Sequence, residues 1–301
     1  MTKRMVLAIL VLAAATSAAR AQDIAMSEIK YNRGQSVQPA FEGWTRNPDG
    51  SFSMWFGYMN RNWEETPDVQ AGPNNGFGAT GEDLGQPTHF LPRRQEFIFK
   101  VNVPADWPKD KDLVWTVTVN GVSLKAYGSL WPVWEIDDRI MSANNGGRTA
   151  RTFGEPVNIP PTISAQLPKQ TAEVGQPLTL VLPVTDDGLP TPAIRRNSTG
   201  GRVVADLTDK PVDPLSPAAR GSFRVKWVQY RGAGNAKITP EESPVLTPEK
   251  KATLTAGTST TKVTFDKPGV YTLRAYAMDG DAFFTTQDVE VTVSAPGQAQ
   301  R

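Results

Sequence analysis

Apolar and polar residues alternate with a period of two along much of the chain, which is the pattern of half-buried β-strands. The stretch "SFSMWFGYMN" at 51–60 has an apolar residue at nearly every even position, and "QEFIFKVNV" at 95–103 has one at most odd positions. The predicted core residues of these two strands are Phe52, Met54, Phe56, Tyr58, Phe97, Phe99, Val101 and Val103. Such residues need no ligand to explain them, since each contributes about 1.5 to 3 kcal/mol on burial.

The segment "LVWTVTVNGVSLKAYG" at 113–128 predicts a β-hairpin. Asn120-Gly121 is a preferred pair for a two-residue type I′ turn, and such a turn pairs Val119 with Val122. Counting outward by twos then places the apolar residues of both strands on one face. These residues are Leu113, Trp115, Val117, Leu124 and Ala126.

Five further alternating segments lie between 178 and 293, with Thr, Pro and Gly between them. Each has one set of apolar positions that would face inward. The sets are Leu178, Leu180, Leu182 and Val184; Phe223, Val225 and Trp227; Val263 and Phe265; Tyr271, Leu273, Ala275 and Ala277; and Val289, Val291 and Val293. Short strands of this kind favour an immunoglobulin-like sandwich. The fold class predicted for the whole chain is all-β, with two β-sandwich domains.

The segment "DKPGVYTL" resembles the tyrosine corner of immunoglobulin-like domains, with Tyr271 as the corner residue and Leu273 where antibody domains have a cysteine. Trp227 would correspond to the buried tryptophan of the third strand. The order "VTDDGLP", "VKWVQYRGAG" and "FDKPGVYTLRAYAMDG" is similar to bacterial extracellular PKD-like domains. This resemblance implies a fold but no single function, because such domains serve as spacers and binding units in unrelated proteins.

The resemblance covers 161–294, and the N-terminal half resembles no known family. The segment 190–221 is longer than the usual connection in PKD-like domains. Seven of the eight tryptophans lie between Trp44 and Trp134, and a segment rich in Gly and Pro follows them. We therefore predict domains at 22–152 and 161–294, joined by a linker at 153–160 and followed by a flexible tail at 295–301.

Residues 1–21 have the features of a signal peptide: Lys3 and Arg4, an apolar run, and the small residues Ala19 and Ala21 before the cleavage point. The protein is thus expected to be exported, to the periplasm or the exterior of a bacterium, without membrane insertion after cleavage. This segment carries three of the 32 basic residues and none of the 31 acidic ones. The remaining chain, with 29 basic residues, is close to neutral, which argues against nucleic acid as a partner.

The sequence offers few groups for catalysis. It has no cysteine, and His89 is its only histidine, so cysteine nucleophiles and multi-histidine metal sites are excluded. Paired carboxylates would be needed for glycoside hydrolysis. The candidates are Glu64, Glu65, Glu135, Asp137 and Asp138. Because adjacent acids on loops are usually solvated or cap a turn, we expect a non-enzymatic protein, with a glycan hydrolase as an alternative.

Two Asp-Gly segments suggest a structural metal. Asp186 and Asp187 precede Gly188, and Asp279 and Asp281 flank Gly280. Loops at one end of a sandwich would bring these oxygens together for Ca²⁺, although Asp-Gly is also ordinary turn chemistry. No cofactor is expected to be required. The Gly-rich segment 69–87 lacks the lysine of a phosphate-binding loop and is predicted to be a long surface loop.

Four tryptophans are not explained by the predicted core faces: Trp55 on the odd-numbered face of 51–60, and Trp63, Trp131 and Trp134 in regions without clear alternation. They are either packed by loops or exposed as a stacking platform for sugar rings. Our first hypothesis is a binding or scaffolding protein that contacts a partner protein through loops and sheet edges. The alternative is a carbohydrate-binding accessory protein that uses these tryptophans. The expected partner is accordingly a protein or a polysaccharide of the cell envelope.

Overall fold

The computed structural model describes residues 30–147, 156–189, 195–196, 202–203, 223–251 and 253–297. Within these ranges the chain is mostly antiparallel β-sheet, as predicted, and one short α-helix accompanies the strands. No helix in the described ranges is long and apolar enough to cross a membrane. The predicted signal peptide at 1–21 lies outside the described residues, as do most of 190–221 and parts of the linker and the tail.

The first sandwich consists of two three-stranded sheets. Its strands are β1 (Val37–Arg46), β2 (Phe52–Asn60), β3 (Asn75–Phe77), β4 (Arg93–Val103), β5 (Leu113–Val119) and β6 (Val122–Gly128). One sheet has the order β1-β2-β4 and the other β3-β5-β6. Aromatic side chains fill the space between them, with the ring of Phe56 stacked on Phe99 and in edge contact with Trp115.

The predicted hairpin is confirmed. Val119 pairs with Val122, and Asn120 and Gly121 have the positive φ angles, 51° and 75°, that a type I′ turn requires. Trp115, Val117 and Ala126 are buried on its inner face. The even-numbered face of β2 is also confirmed as core, because Met54, Phe56 and Tyr58 are buried and Phe52 packs against them.

The prediction that Phe97 shares a face with Phe99 is wrong. The pairing of β2 with β4 shifts at this point, so that Phe56 pairs with Phe99 and Tyr58 with Gln95. The extra residues of this β-bulge turn Phe97, at a φ of 49°, to the other side of the sheet. Phe97 is buried there in edge contact with Trp55, at 6.5 Å between ring centroids.

The prediction that 69–87 is a surface loop is wrong for the residues in the middle of this segment. Asn75 to Phe77 form the buried strand β3, which pairs with β5. The Asn75 side chain donates to the carbonyl oxygens of Val69 and Pro87 and accepts from Trp115 Nε1. Buried backbone carbonyl groups need hydrogen-bond partners, and here the Asn75 side chain provides them in place of a neighbouring strand. The Gly-rich segment can therefore lie partly inside the sandwich.

The second sandwich is immunoglobulin-like. Its strands are β7 (Thr162–Ile163), β8 (Gln170–Glu173), β9 (Leu178–Thr185), β12 (Arg224–Arg231), β13 (Ala236–Thr239), β14 (Glu242–Pro244), β15 (Ala256–Phe265), β16 (Gly269–Met278) and β17 (Phe284–Ser294), while β10 (Arg195–Arg196) and β11 (Arg202–Val203) pair separately. The sheets have the orders β14-β12-β16-β17-β8 and β13-β15-β9-β7. This is the two-sheet arrangement of the immunoglobulin fold.

The predicted core of this sandwich is confirmed, since the inward positions form one buried cluster around Trp227, with Leu178 at its edge. The tyrosine corner is confirmed too, because the Tyr271 hydroxyl donates to the Lys267 carbonyl oxygen at 2.9 Å. One residue of β12 does not follow this scheme. The Tyr230 side chain packs in the core cluster of the first sandwich instead of that of the second.

The two sandwiches are joined along the outer face of β12 and β16. The Tyr230 hydroxyl donates to the Gly85 carbonyl oxygen at 2.5 Å, and the Tyr230 carbonyl oxygen accepts from the amides of Thr88 and His89. Arg231 forms a bidentate ion pair with Asp83 at 2.8 and 2.7 Å. Backbone and side-chain bonds therefore both cross the boundary between the sandwiches.

Candidate functional site

A short loop after β6 has three exposed apolar side chains, and we call it the apolar loop: Trp131, Pro132, Val133 and Trp134. Trp131 is 61% exposed, Val133 80% and Trp134 45%. Pro132 begins a single 3₁₀ turn, Pro132–Trp134, with Val133 at its centre. A cluster of large apolar side chains on the surface is a common feature of protein interaction sites.

The apolar loop is held firmly by β1. Trp44 Nε1 donates to the Trp131 carbonyl oxygen at 2.9 Å, and the Ile136 amide donates to the Trp44 carbonyl oxygen at 2.9 Å. Glu135 pairs with Arg46, and the Trp134 ring meets the Phe41 ring edge-on at 5.7 Å. Since these bonds fix both ends of the loop, its backbone is held against β1 before any partner binds.

The four predicted tryptophans do not form one platform. Trp131 and Trp134 lie beside Trp44, which pairs with Met54 near the start of β2. Trp63 lies beyond the other end of β2, and the cationic groups of Lys30 and Arg93 are 4.6 and 4.4 Å from its ring centre. The six residue-to-residue steps from Met54 to Asn60 correspond to about 20 Å of strand. Trp63 therefore lies too far from Trp131 and Trp134 to bind the same sugar ring.

Trp55 lines a groove between the two sandwiches, which we call the interdomain groove. Its volume is about 540 Å³, and its walls are β2 and β4 on one side and β16 and β17 on the other. Trp55 Nε1 donates to Thr45 Oγ1 at 3.2 Å, and Lys100 Nζ lies 5.3 Å from the ring centre. The opposite wall presents Thr272, Thr286, Asp288 and Glu290.

The candidate catalytic groups other than Asp138 each have a local structural partner. His89 is buried, with Nδ1 2.7 Å from Asp68 Oδ1. Asp137 caps the α-helix Asp138–Asn144 (α1) by accepting from the Ile140 amide, and burial raises the pKa of Asp138. Glu64 accepts from Asn32 and Glu65 from the Gly34 amide, while Glu135 pairs with Arg46.

Asp186 and Asp279, two of the four predicted calcium ligands, lie near one another. Burial raises the pKa of Asp186 to about 7, and the charge of Asp279 contributes to this increase. Burial likewise raises the pKa of Asp279 to about 6, although Asn158 and the amides of Phe283 and Asp281 donate to it. A third oxygen-bearing side chain is therefore present, because Asn158 Nδ2 lies 2.8 Å from Asp279 Oδ2.

Asp187 binds two backbone amides, and Asp281 is held in its turn through its backbone. Asp187 accepts from the amides of Ile159 and Leu189, one on each carboxylate oxygen. The Asp281 backbone donates to Asp279 and its carbonyl oxygen accepts from Ser142 Oγ on α1. Nowhere in the described ranges do three His, Cys, Asp or Glu side chains gather as a metal site. The predicted set of four carboxylates is therefore not assembled.

Sequence reasoning missed Asn158, Val133 and Tyr230. Asn158 lies in the predicted linker, and nothing in its neighbours distinguishes a buried asparagine from a solvated one. Val133 could have been found from the sequence, because in "LWPVWE" the period-two alternation stops and large apolar residues surround a proline. Tyr230 sits where β12 shifts register between Gln229 and Arg231, and such a bulge cannot be read from the alternation itself.

Comparison with known proteins gives only a distant likeness of fold. No family model matches the sequence, and no curated protein matches it. Domains 4 and 5 of the S-layer protein SbsC are 10% identical, the match covering 62% of this chain and 66% of that one with a TM-score of 0.23. A tandem of two titin Ig domains is 10% identical, covering 87% and 100% with a TM-score of 0.22.

The sialic acid binding region of a Streptococcus sanguinis adhesin is 11% identical, covering 62% of this chain and 36% of that one with a TM-score of 0.22. This chain thus spans less than two thirds of the S-layer and adhesin chains. At these TM-scores the likenesses carry no argument about a site, and the fold assignment rests on the strand pairing of the chain itself.

Proposed function

We propose that this protein is an exported, non-catalytic binding protein of the cell envelope that holds a partner protein through its apolar loop. One observation carries the proposal: Trp131, Val133 and Trp134 are exposed on a turn that β1 fixes at both ends. Tryptophan is enriched among the residues that dominate binding energy at protein interfaces. A fixed loop also loses little conformational entropy when it is bound.

The chemistry around the loop favours a protein over a lipid surface as the partner. Glu135, Asp137 and Asp138 lie within four residues after the loop, and the chain after residue 21 has slightly more acidic than basic residues. An anionic membrane attracts clusters of Lys and Arg, whereas Arg46 beside this loop is already paired with Glu135. The complementary surface on the partner would be an apolar pocket that accepts Val133 and the two indole rings.

Site-specific photo-crosslinking tests the proposal. A photoreactive amino acid replaces Val133 in the full chain, expressed in the organism of origin, and a second protein carries it in place of Tyr127. Tyr127 is the matched control because it is also exposed and lies on β6 of the same sandwich. One discrete crosslinked protein from position 133, absent from position 127, supports the proposal. The same products from both positions, or none from either, would contradict it.

A saccharide ligand in the interdomain groove is the second candidate function. It is favoured by the placement of Trp55 across from the hydroxyl groups of Thr272 and Thr286 in a groove of about 540 Å³, which is within the usual size of ligand sites. The test is a calorimetric titration with a panel of soluble β-linked oligosaccharides. Binding that Trp55→Ala abolishes and Trp63→Ala preserves would support this candidate. No heat from any sugar would remove it.

A further inference from the structure

Three segments meet at one end of the second sandwich, because Asn158 bonds to Asp279 and the next residue, Ile159, bonds to Asp187. The cluster that they form, which we call the acidic junction, consists of Asn158, Asp186 and Asp279. Asp186 directly follows β9, Asp279 directly follows β16, and Asn158 precedes β7. Asp279 is fully buried, and its Oδ1 accepts from the amides of Asp281 and Phe283 at 2.8 and 3.0 Å. The position of this carboxylate is therefore fixed by the turn that contains it.

Two oxygen atoms of the acidic junction are buried without a hydrogen-bond partner in the described structure: Asn158 Oδ1 and Asp186 Oδ1. Asn158 is only 4% exposed, and its Nδ2 is already bonded to Asp279 Oδ2. Buried polar atoms in folded proteins are normally paired, so each exception requires an explanation. Here both exceptions are oxygen acceptors beside a second buried carboxylate, where no donor reaches them.

We infer that the acidic junction binds a divalent cation of the calcium class, with Asp186, Asp279 and the Asn158 amide oxygen as its protein ligands. Ca²⁺ binds carboxylate and amide oxygens and accepts water in its remaining positions. It would provide the missing partner for both unpaired oxygens and neutralise two carboxylates that otherwise repel one another. Asp187 is not a ligand in this proposal, because its side chain is exposed and bonded to backbone amides, whereas Asp279 is buried and Asp186 Oδ1 is buried without a partner.

The proposed cation would also affect the contact between the two sandwiches. The turn that holds Asp279 continues to Asp281, whose carbonyl oxygen accepts from Ser142 on α1. Ser142 and Met141 are the buried residues of that helix. Ordering the Asp279 turn therefore orders the surface on which α1 rests, so cation binding is expected to slow amide exchange in α1 as well as around Asp279.

Titration of CaCl₂ into metal-free full-length protein after signal cleavage, residues 22–301, tests the inference. One binding event is expected, with a Kd of about 0.1 to 1 mM, the range of extracellular calcium sites. At a Ca²⁺ concentration of about 100 times the Kd, the thermal midpoint should rise by roughly 5 to 10 °C. A parallel titration with MgCl₂ is expected to give weaker binding, because Mg²⁺ demands a tighter octahedral site.

Two isosteric variants make the test specific. Asp186→Asn is expected to weaken Ca²⁺ binding by about tenfold or more, as is usual when a ligand is lost. Asp187→Asn is the matched control and should bind within about threefold of the unaltered protein, because Asp187 is not a ligand. Circular dichroism confirms that both variants fold. No calcium-dependent heat or midpoint shift in the unaltered protein would overturn the inference, as would equal binding by Asp186→Asn.

Discussion

The guanidinium group of Arg274 lies 3.6 Å from the centre of the Tyr230 ring, where the two sandwiches meet. The same guanidinium binds Asp288 through two bonds of 2.5 and 2.7 Å and donates to the Ile98 carbonyl oxygen of the first sandwich. A buried cation that is both stacked and hydrogen-bonded holds its neighbours in one arrangement. The two sandwiches are therefore expected to unfold together rather than one after the other.

Replacing Tyr230 tests this cooperativity. Tyr230→Ala removes a ring from the core of the first sandwich and should lower the free energy of unfolding by about 3 to 5 kcal/mol. Tyr230→Phe keeps the ring and loses the bond to Gly85, so about 1 kcal/mol is expected. Denaturant unfolding followed by tryptophan fluorescence measures both. A single transition should become two in Tyr230→Ala.

The control is Tyr127→Ala, which truncates an exposed tyrosine on β6. It should change the free energy of unfolding by no more than about 0.5 kcal/mol. Equal denaturation midpoints for Tyr230→Ala and Tyr127→Ala would show that the contact of Tyr230 with the first sandwich adds nothing to stability.

The ion pair between Arg231 and Asp83 should make part of the stability depend on pH. Hydrogen bonds from Arg231 hold the pKa of Asp83 below its ordinary value of 3.8. A carboxyl whose pKa is lowered by folding stabilises the protein above the ordinary pKa and loses this effect as the pH falls through the lowered value. Because the pair is partly exposed, Arg231→Met should lower the free energy of unfolding by only about 1 kcal/mol near pH 7. The loss should be smaller below about pH 4.

A double-mutant cycle isolates this pair. Arg231→Met also removes bonds to the Gln86 carbonyl oxygen, so the effect is measured with Asp83 and with Asp83→Asn. The coupling free energy between the two positions should decrease as the pH is lowered. A coupling that stays constant between pH 7 and pH 3 would refute the assignment of this pH dependence to Asp83.

The parts of the fold that were predictable have local causes. The Asn120-Gly121 turn determines its own φ angles and therefore the register of both flanking strands. Tyr271 bonds to a carbonyl only four residues earlier, so its motif is contained in one short segment. In each case a few adjacent residues decide the structure, and one sequence is enough to identify them.

The parts that were missed depend on contacts between distant segments. Phe97 changes side because β4 has extra residues opposite β2, and alternation gives no sign of a bulge. Asn75 forms bonds to Val69, Pro87 and Trp115 that only the folded chain brings together. The same holds for Asn158, whose partner Asp279 is 121 residues away. The acidic turns of the candidate cation site were thus predictable, but its amide ligand was not.

The order of the apolar loop should depend on one hydrogen bond from Trp44. Trp44→Phe keeps an aromatic ring in the core and removes the donor to the Trp131 carbonyl oxygen. We expect a loss of about 1 kcal/mol in the free energy of unfolding and faster amide exchange at Trp134 and Ile136. Hydrogen exchange followed by mass spectrometry measures the second effect.

Trp107→Phe is the matched control for this substitution. It removes the same kind of bond, from indole Nε1 to the Lys111 carbonyl oxygen, in a different part of the sandwich. Exchange in the apolar loop should be unchanged in this variant. If Trp44→Phe also leaves exchange at 131–136 unchanged, the loop does not depend on Trp44 for its order.

Gly43 is expected to be essential for the position of the apolar loop. It lies in the β1 bulge with a φ of 132°, and a Cβ atom placed there would be 2.7 Å from both the Trp134 carbonyl oxygen and Ile136 Cγ2. Gly43→Ala would strain its own backbone and bring the new methyl group too close to the Trp134 carbonyl oxygen. We therefore expect the free energy of unfolding to fall by about 2 to 4 kcal/mol. Gly50→Ala is the control, because Gly50 has a φ of 86° but open space around it.

Gly50→Ala should cost only about 1 kcal/mol, from strain alone. The difference between the two variants measures how closely Trp134 and Ile136 approach β1. Because the clash displaces the residues that carry the loop, Gly43→Ala should also increase quenching of tryptophan fluorescence by acrylamide and weaken crosslinking from position 133. Equal losses of stability in the two variants would mean that the apolar loop is not seated against β1.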